Sequence, residues 1–382
     1  MRVLRGGIGY FAVLAAMVGV LPVVQSGAAA AETAGMLISE SARPDGFHGQ
    51  PGGSVISYWT IDSSGTSRPA SGALFVPAGE APAGGWPIVA FDHGTTGLGK
   101  GCGGKSDPAT GPHTVYIDEE DALMRHLVSL GFAVAAPDYL GLGLYDTGPH
   151  PYLGLDTEAA ATIDMVRAAR SARPELSRTW TVLGLSQGGQ AALGTGWHQS
   201  RVAPDLDFRG TIAVDPESDI EKALPLAGPG FPAIPGAENL TGYFADILAG
   251  LRAARPDLDV DGYLTPRGKA LLDEVSTLCQ PAIDARVQGV GIGDLLSKPL
   301  SDTTIRAALE SYMTIPATGY NAPILLLLNT TDTEVPAPLH GALVSRFAAN
   351  GVDFQVVSGT GRHVQLNPQM WSALDAFLNG IR

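Results

Sequence analysis

The chain predicts an α/β protein, a mostly parallel sheet with helices on both faces and one inserted helical segment. Three observations carry this. Short apolar runs alternate with helical patterns up to Val214, the rhythm of a parallel sheet covered on both faces. After Asp215 the rhythm breaks for about 100 residues and resumes at Pro323. The 382 residues, 45% hydrophobic and 16% charged, suffice for one large α/β domain plus an insertion.

The elements follow in order. Arg2 and Arg5, the apolar run Ile8 to Val24 and the alanines Ala28 to Ala31 read as an export signal cleaved after about Ala31, with an uncleaved membrane anchor as the alternative. Val55–Ile61 and Ala73–Val76, separated by the turn residues Asp62 to Gly65, predict an antiparallel hairpin. Pro87–Phe91 is a short buried strand ending in Asp92-His93-Gly94-Thr95. Glu119–Leu130 is a helix stopped by Gly131, and Phe132–Ala136 is the next strand. Asp156–Ala172 is a helix with Asp156 as the expected N-cap. Thr179–Leu185 and Gly210–Val214 are strands flanking a small-residue helix. Residues 216–318 are helical and proline-rich and are expected to form a cap between two core segments, 32–215 and 319–382. Pro323–Leu328, Val352–Val357 and the helix Pro368–Ile381 complete the core.

The most informative stretch is Gly184-Leu185-Ser186-Gln187-Gly188, the only G-x-S-x-G, placed between a β-branched strand and a helix. Such a strand–turn–helix lifts its serine out of the sheet edge in a strained conformation, and glycine alone fits at the flanks. The ordinary alternative is a turn serine. A serine nucleophile needs a histidine to take its proton and a carboxylate to orient that histidine. In chain order serine, acid, histidine, the acid follows the next-to-last strand. Asp332 is the candidate, with Glu334 second and a turn cap as the ordinary role. The histidine follows the last strand, where His363 stands alone, while His340 lies in a helix. Backbone donors for a developing oxyanion are expected from Gln187 and from Thr95 in the His93-Gly94-Thr95 loop, with His93 bracing the loop. His150 reads as a structural loop residue, and His113, His126 and His198 as surface or capping residues.

The net charge of -14 argues against nucleic acid or an anionic membrane as partner. In an exported chain the only two cysteines, Cys102 and Cys279, are expected to pair. No metal or organic cofactor is expected. Asp257-Leu258-Asp259-Val260-Asp261-Gly262 starts like a calcium loop, but its twelfth position is Gly268 where a glutamate is required, so it reads as a helix-to-helix turn. Asn239-Leu240-Thr241 and Asn329-Thr330-Thr331 match the glycosylation sequon.

With these residues in view the chain resembles the α/β-hydrolase superfamily over nearly all its mature length. Within that superfamily it is similar to the secretory lipases. The supporting stretches are the serine turn, Pro137 to Gly143, His150 to Leu153, Glu158 to Arg170, Leu264 to Gly268 and Asp332 to Pro336. The resemblance implies an extracellular serine esterase or lipase with a mostly helical lid over an acyl pocket. It implies a small-molecule or lipid ester as substrate and transient lipid-surface contact through the cap. The apolar, glycine- and proline-rich cap suits a greasy acyl chain. An exported peptidase or acyltransferase on the same triad is the alternative, with Glu217, Asp219 and Glu221 available to anchor an amine. A fold that has lost catalysis and only binds is the reading from a different class. The oligomeric state is not legible.

Overall fold

A computed structural model describes residues 32–112, 116–232 and 239–381; the expected export signal lies outside them. Nine strands form one sheet in the order β1-β2-β3-β5-β4-β6-β7-β8-β9. The N-terminal edge is antiparallel: β1 (Leu37–Ala42), β2 (Ser54–Ile61) and β3 (Ser67–Phe75). The hairpin is the expected one, whereas β1 is an added edge strand. β3 runs antiparallel to β5, and the remaining six strands are parallel: β4 (Trp86–Asp92), β5 (Ala133–Pro137), β6 (Leu176–Leu185), β7 (Asp207–Val214), β8 (Ile324–Asn329) and β9 (Phe354–Gly359). The last strand starts two residues later than its apolar run suggests.

Period-two alternation divides the core between the faces. Trp180 and Val182 of β6 and Ile88 and Ala90 of β4 pack with Ile163, Val166 and Ala169 of α2 (Leu155–Ala172). Leu183, Leu185, Val89 and Phe91 pack the other way, with Leu123 and Leu127 of α1 (Ile117–Ser129) and Met370 and Leu374 of the C-terminal helix. The chain leaves β4 for β5 on one side and reaches β6 on the other through α2. The sequence order therefore reverses beside β4, the position where open α/β sheets hold ligands at the carboxyl ends of their strands.

The helix after the serine is α3 (Gln187–Val202). Between β7 and β8 lie α4 (Ile220–Ala223), α5 (Asn239–Ala254), α6 (Pro266–Val275), α7 (Gln280–Arg286), α8 (Ile292–Leu295) and α9 (Thr303–Met313). These helices share an apolar core, with Leu248, Leu251, Leu272, Ile283 and Leu309 nearly without exposure. The aspartate-rich stretch is a short 3-10 turn between α5 and α6, in which Asp259 caps the Gly262 N–H and Asp257 and Asp261 pair with Arg255 and Arg252. α10 (Ala337–Ala349) and α11 (Pro368–Gly380) finish the chain. Among the described residues no helix is long and apolar enough to cross a membrane.

One local expectation fails. Asp156 does not cap α2, whose N-cap is Gly154 with no side-chain hydrogen bond. Asp156 lies in the first turn and instead meets His198 Nε2 of α3 at 2.7 Å. A carboxylate is still favoured there by the helix dipole.

Candidate active site

Ser186 sits between β6 and α3 at φ 57, ψ -121, a region a side chain occupies only when its surroundings force it. The turn is that tight because backbones touch: a methyl group at Gly184 would strike the Gly188 carbonyl, and one at Gly188 the Asp92 carbonyl. The turn is tied to the next strand by Ser186 N–H to Val214 O at 2.9 Å and Glu217 N–H to Ser186 O at 3.2 Å.

His363 and Asp332 come together from loops after neighbouring parallel strands, with His363 Nδ1 2.6 Å from Asp332 Oδ2. The other oxygen, Oδ1, accepts the N–H groups of Glu334 at 2.8 Å and Val335 at 3.1 Å. Asp332 is therefore both a turn cap and the partner of the histidine. Burial disfavours the imidazolium, but Asp332, then Glu334 and Glu217, outweigh it and lift His363 to about 9. Burial likewise works against ionised Asp332, yet the hydrogen bond and charge of His363 and the two backbone donors hold its carboxyl below the usual range.

Sequence reasoning missed Asp215, which fastens these loops. Its carboxylate accepts Asn329 N–H at 2.6 Å, Asn329 Nδ2 at 2.7 Å and Val364 N–H at 2.8 Å. Burial pushes its pKa up, against those bonds. Asn329 is fully buried in this knot, so its sequon is closed to a glycan in the folded chain. Asp215, Asp332 and His340 place one ligand atom each within 4.8 Å. The carboxylates there already accept N–H donors, which leaves no reason to read the cluster as a metal site.

The nearest hydrogen-bond partner of Ser186 Oγ is Glu217 Oε1, at 3.5 Å. The far nitrogen of His363, Nε2, is buried with no partner. Burial pushes Glu217 up to about 7; His363 opposes this, and Glu334 and Asp332 add to it. The other acids at the start of the insertion are engaged elsewhere: Asp219 with Lys222 and Arg346, Glu221 with Thr314.

A narrow cavity of about 20 Å³ opens on Ser186, walled by Thr95, Tyr116, Glu120, Tyr243, Glu334 and Val364 among others. That is room for about one water. The wall mixes polar groups, among them Thr95, Glu120 and Glu334, with the apolar Leu185 and Val364, while many apolar residues of the insertion face one another. Glu334, the second choice for the acid, does not meet His363. It accepts hydrogen bonds from Tyr116 and, at 3.0 Å, from Tyr243 of α5. Glu120 pairs with fully buried Lys105 at 2.6 Å and accepts Gly94 N–H at 2.9 Å.

The remaining predicted residues hold the loops. Gln187 begins α3, where N–H groups lack an intrahelical partner. Its side-chain amide donates to Glu158 Oε1 and His150 Nε2, both at 2.7 Å. His150 Nδ1 lies 2.9 Å from the Leu140 carbonyl, so Nδ1 carries the proton and Nε2 accepts. His150 is thus a loop residue that also anchors the residue after the serine. Thr95 Oγ1 meets Tyr152 Oη at 2.9 Å. His93 braces its loop through the Gly94 carbonyl at 2.7 Å, and burial, followed by the Lys105 charge, lowers it to about 4. Cys102 and Cys279 are disulfide-bonded, and Leu98 N–H to Leu278 O and Gln280 N–H to Thr96 O stitch the same loop to the α6–α7 junction. His126 and His198 pair with Asp375 and Asp156 on the surface, and His113 lies outside the described residues.

The architecture matches solved structures of low sequence identity. Candida antarctica lipase A aligns with a TM-score of 0.74 and 16% identity, over 92% of this chain and 83% of that one. The rice cell wall degrading esterase LipA of Xanthomonas oryzae aligns with a TM-score of 0.71 and 19% identity, over 92% of this chain and 100% of that one. These establish an α/β-hydrolase fold. A protein of Mycobacterium tuberculosis described as a probable inactive lipase is 25% identical over 248 residues, 62% of this chain and 52% of the relative, so the chain spans about half the relative's length. The secretory lipase model matches residues 108–364. That match takes in the serine turn, both loops that meet at His363 and the helical insertion, and the chain belongs to the secretory lipase family.

Proposed function

We propose that the chain is a secreted serine carboxylester hydrolase that works through an acyl-enzyme. Ser186 Oγ attacks the ester carbonyl and gives its proton to His363 Nε2. Asp332 holds the imidazole through Nδ1 and stabilises the imidazolium. The tetrahedral oxyanion takes hydrogen bonds from the Gln187 and Thr95 N–H groups. His363 then protonates the leaving alcohol as the carbonyl reforms. It next takes a proton from water, which attacks the acyl-Ser186 ester, and returns that proton to Ser186 Oγ as the ester bond breaks and the acid leaves. The use of Gly94 N–H by Glu120 favours Thr95 as the loop's free donor.

The observation that carries this reading is the 2.6 Å contact of His363 Nδ1 with Asp332, together with a buried, partnerless Nε2 beside a strained serine turn. The mechanism requires the Ser186 hydroxyl to leave Glu217 and turn to His363 Nε2. A 20 Å³ cavity admits no ester, so residues 216–318 act as a cap that shifts to admit one, parting Tyr243 from Glu334. The disulfide and its neighbouring backbone bonds hold the α6–α7 end of that cap to the core. Export with cleavage after about Ala31 agrees with the family and with a disulfide.

The test is hydrolysis of p-nitrophenyl esters from acetate to palmitate, with and without added alcohol. Free acid as product is expected. Products only in the presence of alcohol would replace hydrolysis by acyl transfer, and no turnover of any ester would overturn the reading.

A further inference from the structure

The loop after β4 stands directly against the serine turn: a methyl group at Gly94 would lie 3.7 Å from the Ser186 Cβ. The next residue, Thr95, lines the cavity that opens on Ser186. Its hydroxyl can donate one hydrogen bond and accept others. Among the described residues that hydroxyl has one partner, the Tyr152 phenol, with Oγ1 and Oη 2.9 Å apart. Tyr152 is fully buried, and its phenol has no second partner among the described residues. Its backbone is tied on both sides. The N–H donates to the His150 carbonyl at 2.8 Å, and the carbonyl accepts from Tyr312 Oη of α9 at 2.8 Å. The ring meets that of His150 edge-on. The phenol is therefore held in place beneath the loop.

The proton count fixes the direction of this bond. A buried phenol O–H needs an acceptor, and burial lifts the Tyr152 pKa, so the proton stays on the ring oxygen. Thr95 Oγ1 is the acceptor within reach, so Tyr152 donates and Thr95 accepts. The Thr95 proton is then unspent, on a residue that walls the Ser186 cavity. The loop is also short of backbone donors there, because Glu120 takes the Gly94 N–H at 2.9 Å. We infer that the Thr95 hydroxyl is a third donor to the oxyanion formed at Ser186, beside the Gln187 and Thr95 N–H groups, and that Tyr152 aims it by donating to Oγ1. A hydroxyl that accepts one hydrogen bond donates the next more strongly. It keeps its proton throughout, so the acyl-enzyme route is unchanged. This rests on the hydrolase reading and adds to it a side chain that acts in the transition state. Unlike the N–H donors, that side chain can be removed by substitution.

The test is the kinetics of p-nitrophenyl butyrate hydrolysis in Thr95→Val, Thr95→Ser and Tyr152→Phe, with inhibition by an alkyl trifluoromethyl ketone measured beside it. Thr95→Val keeps the N–H and the shape but loses the hydroxyl. It is expected to lower kcat roughly 10²-fold, the cost of one oxyanion donor, with KM little changed. Thr95→Ser, which restores the hydroxyl, should recover most of that loss. The ketone adds to Ser186 as a hemiketal with the same oxyanion, so its affinity should fall in Thr95→Val by a factor comparable to the fall in kcat/KM. Tyr152→Phe loses only the aim of the donor and should cost about tenfold or less. Unchanged kcat in a folded Thr95→Val would overturn the inference and leave a hydrolase that uses backbone donors alone. So would equal losses in Thr95→Val and Tyr152→Phe, because the bond would then only brace the loop. If Thr95→Val does not fold, Thr95→Ser and Thr95→Ala differ by one oxygen and carry the same comparison, with equal kcat counting against the inference. Wild-type protein that neither cleaves p-nitrophenyl esters nor reacts with the ketone would remove the hydrolase reading, and this inference with it.

Discussion

Replacing Asp215 with alanine tests how the site is assembled. The Asp215 carboxylate ties Asn329, at the base of the acid loop, to Val364, the residue after His363, through three N–H donors at 2.6, 2.7 and 2.8 Å. A hydrogen bond to a charged acceptor contributes about 1.5–3 kcal/mol, so three sum to roughly 4.5–9 kcal/mol. Two effects reduce that total. Burial raises the carboxyl's pKa, so the wild type already bears a desolvation cost, and water can enter the space the side chain leaves. A net loss of about 3–5 kcal/mol is expected, the range for leaving buried donors stranded. Asp215→Asn, which keeps one acceptor oxygen, should lose about half as much. Since Val364 is next to His363, the imidazole should move, and a shift near 1 Å costs about 10²-fold in kcat. Urea unfolding gives the first quantity and p-nitrophenyl butyrate hydrolysis the second. A loss under about 1 kcal/mol with kcat unchanged would show that other contacts hold the two loops and that the reasoning from Asp215 is wrong.

Asp332→Asn should lower kcat by about 10³–10⁴ with little change in KM, because Nδ1 loses its ionised partner; a steady-state loss below tenfold would contradict the role given to Asp332. Since Asp332, Glu334 and Glu217 hold His363 protonated up to about 9, kcat/KM should rise with pH through the alkaline range as the imidazole becomes neutral. Glu217→Gln removes one of those charges, so the rising limb should move to lower pH, and an unmoved limb would mean that Glu217 does not act on His363. The disulfide closes a separation of 177 residues, for which the loop-entropy model gives ~5 kcal/mol. Reduction, or the double Cys102→Ser, Cys279→Ser variant, should therefore lower Tm clearly in a thermal melt, and an unchanged Tm would contradict that.

What the sequence revealed divides along the range of the interactions. Strands such as Ile324–Leu328 are legible because a parallel strand buried on both faces must be a continuous apolar run. The serine turn is legible because the motif is local: Gly184 is demanded by a backbone collision with Gly188 inside the turn, although the collision that demands Gly188 is with Asp92 on β4. Asp332 and His363 are candidates because they follow the last two predicted strands in the order acid then histidine, and the fold brings their side chains within 2.6 Å. β1, with the half-polar sequence LISESA, carries no such signature, because an edge strand owes its place to pairing with β2. Asp156 obeyed a tertiary partner, His198, in preference to the local cap. The Asp215 knot, the Lys105–Glu120 pair and the clamp of Tyr116 and Tyr243 on Glu334 join residues with no common periodicity, and only the folded chain brings them together. The carboxylates beside Ser186 were hidden for the same reason: composition reports how apolar the insertion is, not which way its leucines face.

The most direct test is to treat the folded protein with a fluorophosphonate, follow p-nitrophenyl butyrate hydrolysis as it reacts, and map the adduct by mass spectrometry, with Ser186→Ala in parallel. Activity should vanish in step with one adduct per chain on Ser186, and the alanine variant should neither label nor turn over. Hydrolysis that survives in Ser186→Ala, or inactivation with the adduct on another residue, would contradict the assignment of Ser186 as the nucleophile.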